Sequence, residues 1–175
     1  MQRIAIIGST GSGKSTLARV LAERLAIPHT ELDNLHWQPG WQELSVERFR
    51  PLVDAATSQP KWVIDGGYSV VRDLVWGRAD TIIWLNYSPW RTTWQLLRRT
   101  VLRNVRGDLC CNGNRESLKR TFGPDSILLW LLKSYGMNRR NFPVALRRFS
   151  NATQLTFSTP KQTAKWLAAL PGKAS

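Results

Sequence analysis

Short apolar runs alternate along this chain with longer stretches whose apolar residues recur at helical spacing. Residues 1–7 carry Ile4, Ile6 and Ile7 and predict a buried strand. Residues 16–25 predict a helix with Leu17, Val20, Leu21 and Leu25 on its inner face. Residues 27–33 read as a second strand ending in a carboxylate, followed by a polar and aromatic loop over 34–41. Ser45 can cap a helix reaching Ala56, with Val46, Phe49, Leu52 and Val53 sharing a face. Residues 61–65 predict a third strand, 70–76 a short helix and 81–85 a fourth strand. Pro89 opens a helix to about residue 103, with Trp90, Trp94, Leu97 and Val101 expected inward. Residues 104–125 read as polar and loop-like, with Gly107, Gly113, Gly123 and Pro124. A second long helix is expected from 125 to about 137, with a basic segment continuing to Arg148. Residues 153–157 predict the last strand and 160–170 a closing helix.

Strands alternating with helices predict an α/β fold, a three-layer α/β/α sandwich around a five-stranded parallel sheet. Neither an internal repeat nor a dividing linker is evident. The expected organisation is one domain over 1–175 with a helical, Arg-rich, lid-like insertion at about 98–148.

Between the first strand and the first helix lies Gly8-Ser9-Thr10-Gly11-Ser12-Gly13-Lys14-Ser15, a complete P-loop (Walker A) motif. Its glycines let backbone N–H groups turn inward around a polyphosphate. Lys14 reaches the outer phosphates, and the Ser15 hydroxyl suits a magnesium ion. The phosphates would rest on a helix N-terminus that opens at about Thr16, where free N–H groups and aligned dipoles favour anions. A nucleoside triphosphate is the expected ligand, with ATP and Mg²⁺ as cofactors.

Charge sharpens that picture. The chain holds 25 Lys+Arg against 12 Asp+Glu, a net +13. Residues 91–150 hold 13 of the basic side chains and three acids, so +10 of the excess lies in one third of the chain. Eleven of those 13 are arginine, which favours bidentate phosphate contacts. A hydrophobic fraction of 42% over 175 residues suits one globular domain. With no long apolar run and no signal segment, a cytoplasmic protein without a membrane partner is expected, monomeric or homodimeric. Cys110 and Cys111 are neighbours and build neither a disulfide framework nor a zinc site. Of the nine tryptophans, Trp84, Trp94 and Trp130 fall on apolar faces and are expected in the core. Trp37 and Trp41 lie in loops and are expected to meet a ligand.

Five segments together carry a family likeness: Ile6-Ile7-Gly8 through Ser15; Leu32-Asp33 with His36-Trp37 and Pro39-Gly40-Trp41; Ile64-Asp65-Gly66 with Tyr68-Ser69; Arg78-Ala79-Asp80-Thr81; and Asn112-Gly113-Asn114-Arg115-Glu116. On them the chain resembles the adenylate-kinase-like and shikimate-kinase-like P-loop kinases. It is most similar to a bacterial family described as adenylate kinase-related or "DNA topology modulation" proteins. Adenylate kinases follow the third-strand Asp-Gly with Phe-Pro-Arg, whereas this chain has Gly67-Tyr68-Ser69. Shikimate kinases end strand two in Asp-x-Asp, whereas this chain has Glu31-Leu32-Asp33, and they place three glycines where it has Asp65-Gly66-Gly67.

The resemblance implies phosphoryl transfer, which needs charge cancelled on the moving group and an acceptor held in line. Catalytic roles are expected for Lys14, Asp33, Arg99 and Arg115. Asp33 would orient or deprotonate the acceptor, and Arg115 would close from the lid. Cofactor contacts are expected from Gly8 to Thr16 and from Arg103. Acceptor contacts are expected from Asp33, Trp37, Gly66, Tyr68 and Arg72. Magnesium would be held by Ser15, with Asp65 ahead of Asp33 as the carboxylate orienting its waters. A small-molecule kinase, acting on a nucleoside, nucleotide or metabolite, is the leading reading. The alternative is a nucleic-acid-associated ATPase or polynucleotide 5′ kinase using the basic segment, which the expected burial of Trp94 and Trp130 disfavours. A regulatory NTP-hydrolysing switch comes third.

Overall fold

The computed structural model describes residues 1–115 and 127–170; the side chains of Arg115, Ile127 and Leu128 are not among those described. The elements run β1 (Arg3–Gly8), α1 (Lys14–Leu25), β2 (His29–Glu31), α2 (Leu32–His36), β3 (Trp37–Gln38), β4 (Gln42–Glu43), α3 (Val46–Thr57) and β5 (Trp62–Asp65). A 3-10 turn (Ser69–Val71) leads into α4 (Arg72–Arg78), β6 (Thr81–Leu85), α5 (Pro89–Arg106), β7 (Leu109–Cys110) and β8 (Asn114–Arg115). After the gap come α6 (Ile127–Leu146), a 3-10 turn (Arg147–Phe149), β9 (Thr153–Phe157) and α7 (Pro160–Ala169).

The main sheet has five parallel strands in the order β2-β5-β1-β6-β9. Because strand side chains alternate, each central strand feeds two cores. Ala5, Ile7, Ile64, Ile82 and Trp84 face one side with Phe49 and Val53 of α3, Val75 and Trp76 of α4, and Phe142 of α6. Ile4, Ile6, Val63, Ile83 and Leu85 face the other with Leu17, Ala18 and Leu21 of α1 and with Trp166 of α7. This double burial explains why these strands are apolar at nearly every position, and it makes the expected α/β/α sandwich. Among the described residues no helix is long and apolar enough to cross a membrane.

Several elements depart from the sequence reading. The second strand stops at Glu31 and Leu32 starts a helix, so Asp33 sits in the first turn of α2 rather than at a strand end. Residues 37–43 form a two-stranded hairpin, not an open loop. On α1 the exposed Val20 leaves the inner face to Leu17, Ala18, Leu21 and Ala22, and on α3 Val46 and Leu52 are exposed. The largest reversal is α5. Trp90 and Trp94 are 81% and 61% exposed and Val101 is also exposed, while Thr92, Leu96 and Thr100 are buried. Trp130 on α6 is 55% exposed as well; of the three tryptophans expected in the core, Trp84 alone is there. Helical periodicity identifies a stripe but not the side it faces, and the inner side of α5 lies against the phosphate loop. A Cβ on Gly11, whose φ is +79°, would meet Thr92 O at 2.4 Å and Leu96 Cβ at 3.0 Å. Only a glycine lets loop and helix approach so closely.

Candidate functional site

The P-loop bridges the C-terminal end of β1 and the start of α1, at the centre of the sheet where parallel α/β folds bind ligands. Gly13 takes the left-handed conformation at the N-cap of α1, leaving the helix's first amides to point outward. Ser12 N–H donates to Ser9 O at 3.1 Å, and Lys14 Nζ folds back to donate to the same carbonyl at 3.1 Å. Burial lowers the Lys14 pKa; Asp33 and Asp65 act in the opposite sense, and Arg99 adds to the lowering. A desolvated ammonium in a nest of amides suits a polyphosphate. Ser12 Oγ is buried with no hydrogen-bond partner among the described residues, a further polar group that a phosphate oxygen would satisfy.

Beside the loop, Asp65 ends β5 at 4% exposure. Its carboxylate is held from both sides: Ser15 Oγ donates to Oδ2 at 2.7 Å, and His29 Nε2 lies 2.7 Å from Oδ1. In the β2–β5 register Glu31 stands opposite Asp65, and His29 lies two residues back on the same face. Burial raises the Glu31 pKa, and the neighbouring Asp65 raises it further. Ser15 and Asp65 thus set a hydroxyl in the first turn of α1 against a buried carboxylate at the end of β5. This donor chemistry fits Mg²⁺, which when bound neutralises phosphate charge.

A second group gathers around Asp33. Tyr68 OH donates to Asp33 Oδ1 at 2.7 Å. Burial and the facing carboxylate push the Tyr68 pKa above its ordinary value, so the phenol stays a donor. Tyr68 also contacts His36 (ring centroids 4.5 Å) and Phe49 (5.3 Å), and Trp37 meets Trp41 edge-on at 5.6 Å. Gly66, at φ +137°, lets Leu32 at the start of α2 pack against the end of β5, because a Cβ there would lie 2.7 Å from Leu32 Cβ. The result is an aromatic wall beside a carboxylate, adjoining the P-loop.

The β7–β8 hairpin closes over that wall. Asn112 Nδ2 donates to Asn34 O at 2.6 Å and Trp37 O at 2.7 Å. Asn114 is 4% exposed; its Nδ2 donates to Gln38 O at 2.9 Å and Cys111 O at 2.6 Å, while its Oδ1 accepts from Trp41 N at 2.9 Å. Consecutive positive φ angles at Cys111, Asn112 and Gly113 aim both amides at the acceptor segment. The β7–β8 hairpin, which falls within the lid-like segment expected at about 98–148, is therefore clamped to the 34–41 region by two asparagine side chains.

Helix α5 supplies the remaining polar side. Gln95 and Arg99 follow Thr92 on the face toward the loop, and Gln95 Oε1 is buried without a hydrogen-bond partner among the described residues. Arg99 and Arg103 are half-buried, Arg99 close enough to act on Lys14, whereas Arg98 is exposed. Arg72 lies over the Trp76 ring, 4.7 Å from its centroid. The backbone of Arg115 ends β8, but its side chain, together with Glu116, Lys119 and Arg120, lies outside the described residues.

Comparisons with known proteins agree with this architecture. A gluconokinase from Sinorhizobium meliloti 1021 superposes with a TM-score of 0.53 at 19% identity, covering 95% of this chain and 89% of that one. Shikimate kinase from Acinetobacter baumannii, in complex with shikimate, gives 0.53 at 22% identity over 96% and 89%. The fold is that of the small-molecule P-loop kinases. In sequence, 123 residues are 25% identical to the uncharacterized protein YqaC of Bacillus subtilis (strain 168), over 69% of this chain and 68% of that protein. A family model described as the central domain of helicase HerA matches residues 1–34, which hold the P-loop with its flanking strand and helix.

On this fold, Lys14, Ser15 and Asp65 converge at the loop, with Arg99 near Lys14, while Tyr68 joins Asp33 and Trp37 in the neighbouring aromatic cluster and Gly66 follows Asp65. Arg72 is turned to Trp76. Nothing in the linear pattern singles out His29, Asn112 or Asn114 by role. Spacing of His29 and Glu31 by two is a signal for a shared strand face, but only the pairing of β2 with β5 brings Asp65 to them.

Proposed function

We propose that the chain is an ATP-dependent phosphotransferase acting on a small molecule that presents a hydroxyl or phosphate acceptor. The observation that carries this reading is the juxtaposition of two half-sites: a P-loop with a desolvated Lys14, and beside it a carboxylate, Asp33, held by Tyr68 within an aromatic wall that includes Trp37. A hydrolase has no need of a carboxylate set in an aromatic wall beside its phosphate site. A kinase needs one to hold the acceptor and exclude water.

In this account the amides of Gly11 to Ser15 and Lys14 bind the β- and γ-phosphates, with Gly8 to Thr16 forming the cradle. Arg99, with Arg103 one turn on, balances charge from α5, and Arg115 acts from the lid. Ser15 and Asp65 hold Mg²⁺. Asp33 Oδ2 remains to accept the acceptor's hydroxyl proton while Oδ1 is engaged by Tyr68. Trp37 stacks on the acceptor, Gly66 and Tyr68 border it, and Arg72 can leave Trp76 to meet an anionic group on it. Structural neighbours named as gluconokinase and shikimate kinase favour a small metabolite over a polymer. The narrower kinship, to adenylate kinase-related proteins, rests on the motifs alone.

The test is ADP formation from Mg-ATP against a panel of nucleosides, nucleoside monophosphates, sugars and hydroxy acids, with Lys14→Ala as the blank. Stimulation by one class, absent in the blank, is expected.

A second reading gains from α5. Exposed Trp90 and Trp94 share a face with Arg91 and Arg98, a stacking and charge pattern that suits single-stranded nucleic acid. The expected burial of Trp94 and Trp130 does not hold, so that objection falls. Oligonucleotide binding that weakens steeply with salt, and weakens in Trp94→Ala, would favour this reading.

A further inference from the structure

The ends of β2 and β5 place an imidazole and two carboxylates together: one ligand atom each from His29, Glu31 and Asp65, all within 4.8 Å of one another. We propose that these three residues form a site for a first-row transition divalent cation, such as Mn²⁺, that is filled without nucleotide and is separate from the magnesium carried by ATP.

Three observations build it. The ligand set is one nitrogen and two oxygens, which distinguishes it from an all-oxygen magnesium site. Imidazole suits Fe²⁺ or Zn²⁺ and carboxylate suits Mn²⁺, so the mixed set fits a transition divalent cation, whereas Mg²⁺ prefers oxygen and usually keeps several waters. The ligands are fixed by the fold: Glu31 and Asp65 are register partners on adjacent parallel strands, and His29 shares their face two residues back. Asp65 is buried and Glu31 and His29 are half-buried, so two carboxylates crowd together with a single imidazole beside them. A divalent cation would cancel their two negative charges. Arg19 also acts on Glu31, but its influence is smaller than that of Asp65, His29 or Asp33.

The two faces of Asp65 separate this site from the nucleotide's. Oδ1 turns to His29 and Oδ2 to Ser15, on opposite sides of one carboxylate. A cation on the His29 side therefore shares Asp65 with the P-loop without using the Ser15 hydroxyl. It would fix the Asp65 carboxylate in the orientation from which Oδ2 serves Ser15. His29 becomes a ligand in place of its present 2.7 Å contact with Asp65.

Mn²⁺ titrated into the nucleotide-free protein and followed by electron paramagnetic resonance tests this, with free Mn²⁺ read from its six-line spectrum. About one tightly bound Mn²⁺ per chain is expected, with nitrogen modulation in the pulsed spectrum reporting imidazole ligation. His29→Ala and Glu31→Gln should each weaken binding at least about tenfold, while Ser15→Ala and Lys14→Ala should leave it intact. Glu31→Gln preserves shape, so a folded variant is available if His29→Ala is unstable. The proposal is overturned by absence of Mn²⁺ binding without nucleotide, which would leave His29–Asp65 as a simple ion pair. Binding without nitrogen modulation, or loss in Ser15→Ala equal to that in Glu31→Gln, would also overturn it. None of these results bears on the acceptor assay, so the kinase reading stands or falls separately.

Discussion

Ser15 Oγ donates a 2.7 Å hydrogen bond to Asp65 Oδ2, tying the first turn of α1 to the last residue of β5. The same carboxylate accepts His29 on its other oxygen. Asp65 therefore supports three elements at once, β2, β5 and the P-loop. Asp65→Ala leaves the Ser15 hydroxyl and the His29 imidazole without their partner, at a cost of about 1–3 kcal/mol. Asp65→Asn keeps the shape and is expected to cost less, yet both should lose at least about 100-fold in acceptor phosphorylation. Urea melts beside initial rates separate the two effects. Equal activity in Asp65→Asn and wild type would remove Asp65 from the magnesium site.

Lys14 illustrates a site residue that strains the free protein. Burial lowers its pKa, so between that lowered value and the ordinary 10.5 the unfolded chain binds more protons than the folded one. Stability of the nucleotide-free protein should rise with pH through that window. Lys14→Met, of similar length and uncharged, should flatten the rise and leave stability at pH 7 equal to or above wild type. Nucleotide binding should be lost. Thermal melts across pH 7–10, with and without ATP, check both halves.

Glu31 gives the opposite sign. Its folded pKa is raised above 4.5, so the folded state holds the extra proton between 4.5 and the raised value. Stability contributed by the protonated carboxyl is lost as pH rises through that range. With a chelator present, Glu31→Gln should therefore melt higher than wild type at pH 7 and no higher at pH 4. A difference that is the same at both pH values would contradict the burial and charge crowding seen here.

The asparagine clamp predicts a selective defect. Asn114→Ala removes the bond donated to Gln38 and the bond accepted from Trp41 that link the hairpin to the 37–43 segment, together with a bond to Cys111 inside the hairpin, a loss of about 1–3 kcal/mol of local order. The acceptor KM should rise several-fold while the ATP KM changes little. Tryptophan emission should shift as Trp41 loosens. A matched rise in both KM values would place the hairpin over the nucleotide instead.

Much of the fold is legible in the chain because the central strands are buried on both faces and so are apolar at nearly every position, as at Ile4–Ile7 and Ile82–Leu85. The P-loop is legible because its spacing carries its own backbone geometry. Asp33 reads as a strand-end residue yet lies in the first turn of α2, since Leu32 can end a strand or begin a helix with equal ease. The face of α5 reversed for a physical reason. A helix lying on a phosphate loop turns Thr92, Gln95 and Arg99 inward, and its Trp and Val stripe goes to solvent. His29, Asn112 and Asn114 depend on contacts with residues 36 to 78 positions away, which local pattern does not contain.

Transfer of labelled γ-phosphate from ATP, followed into products with the stimulating acceptor present, tests the pairing of P-loop and Asp33 pocket most directly. Label should appear on the acceptor with wild-type protein, vanish in Lys14→Ala, and fall at least about 100-fold in Asp33→Asn with ATP binding retained. Label released only as inorganic phosphate, at one rate with or without every acceptor, would contradict the account.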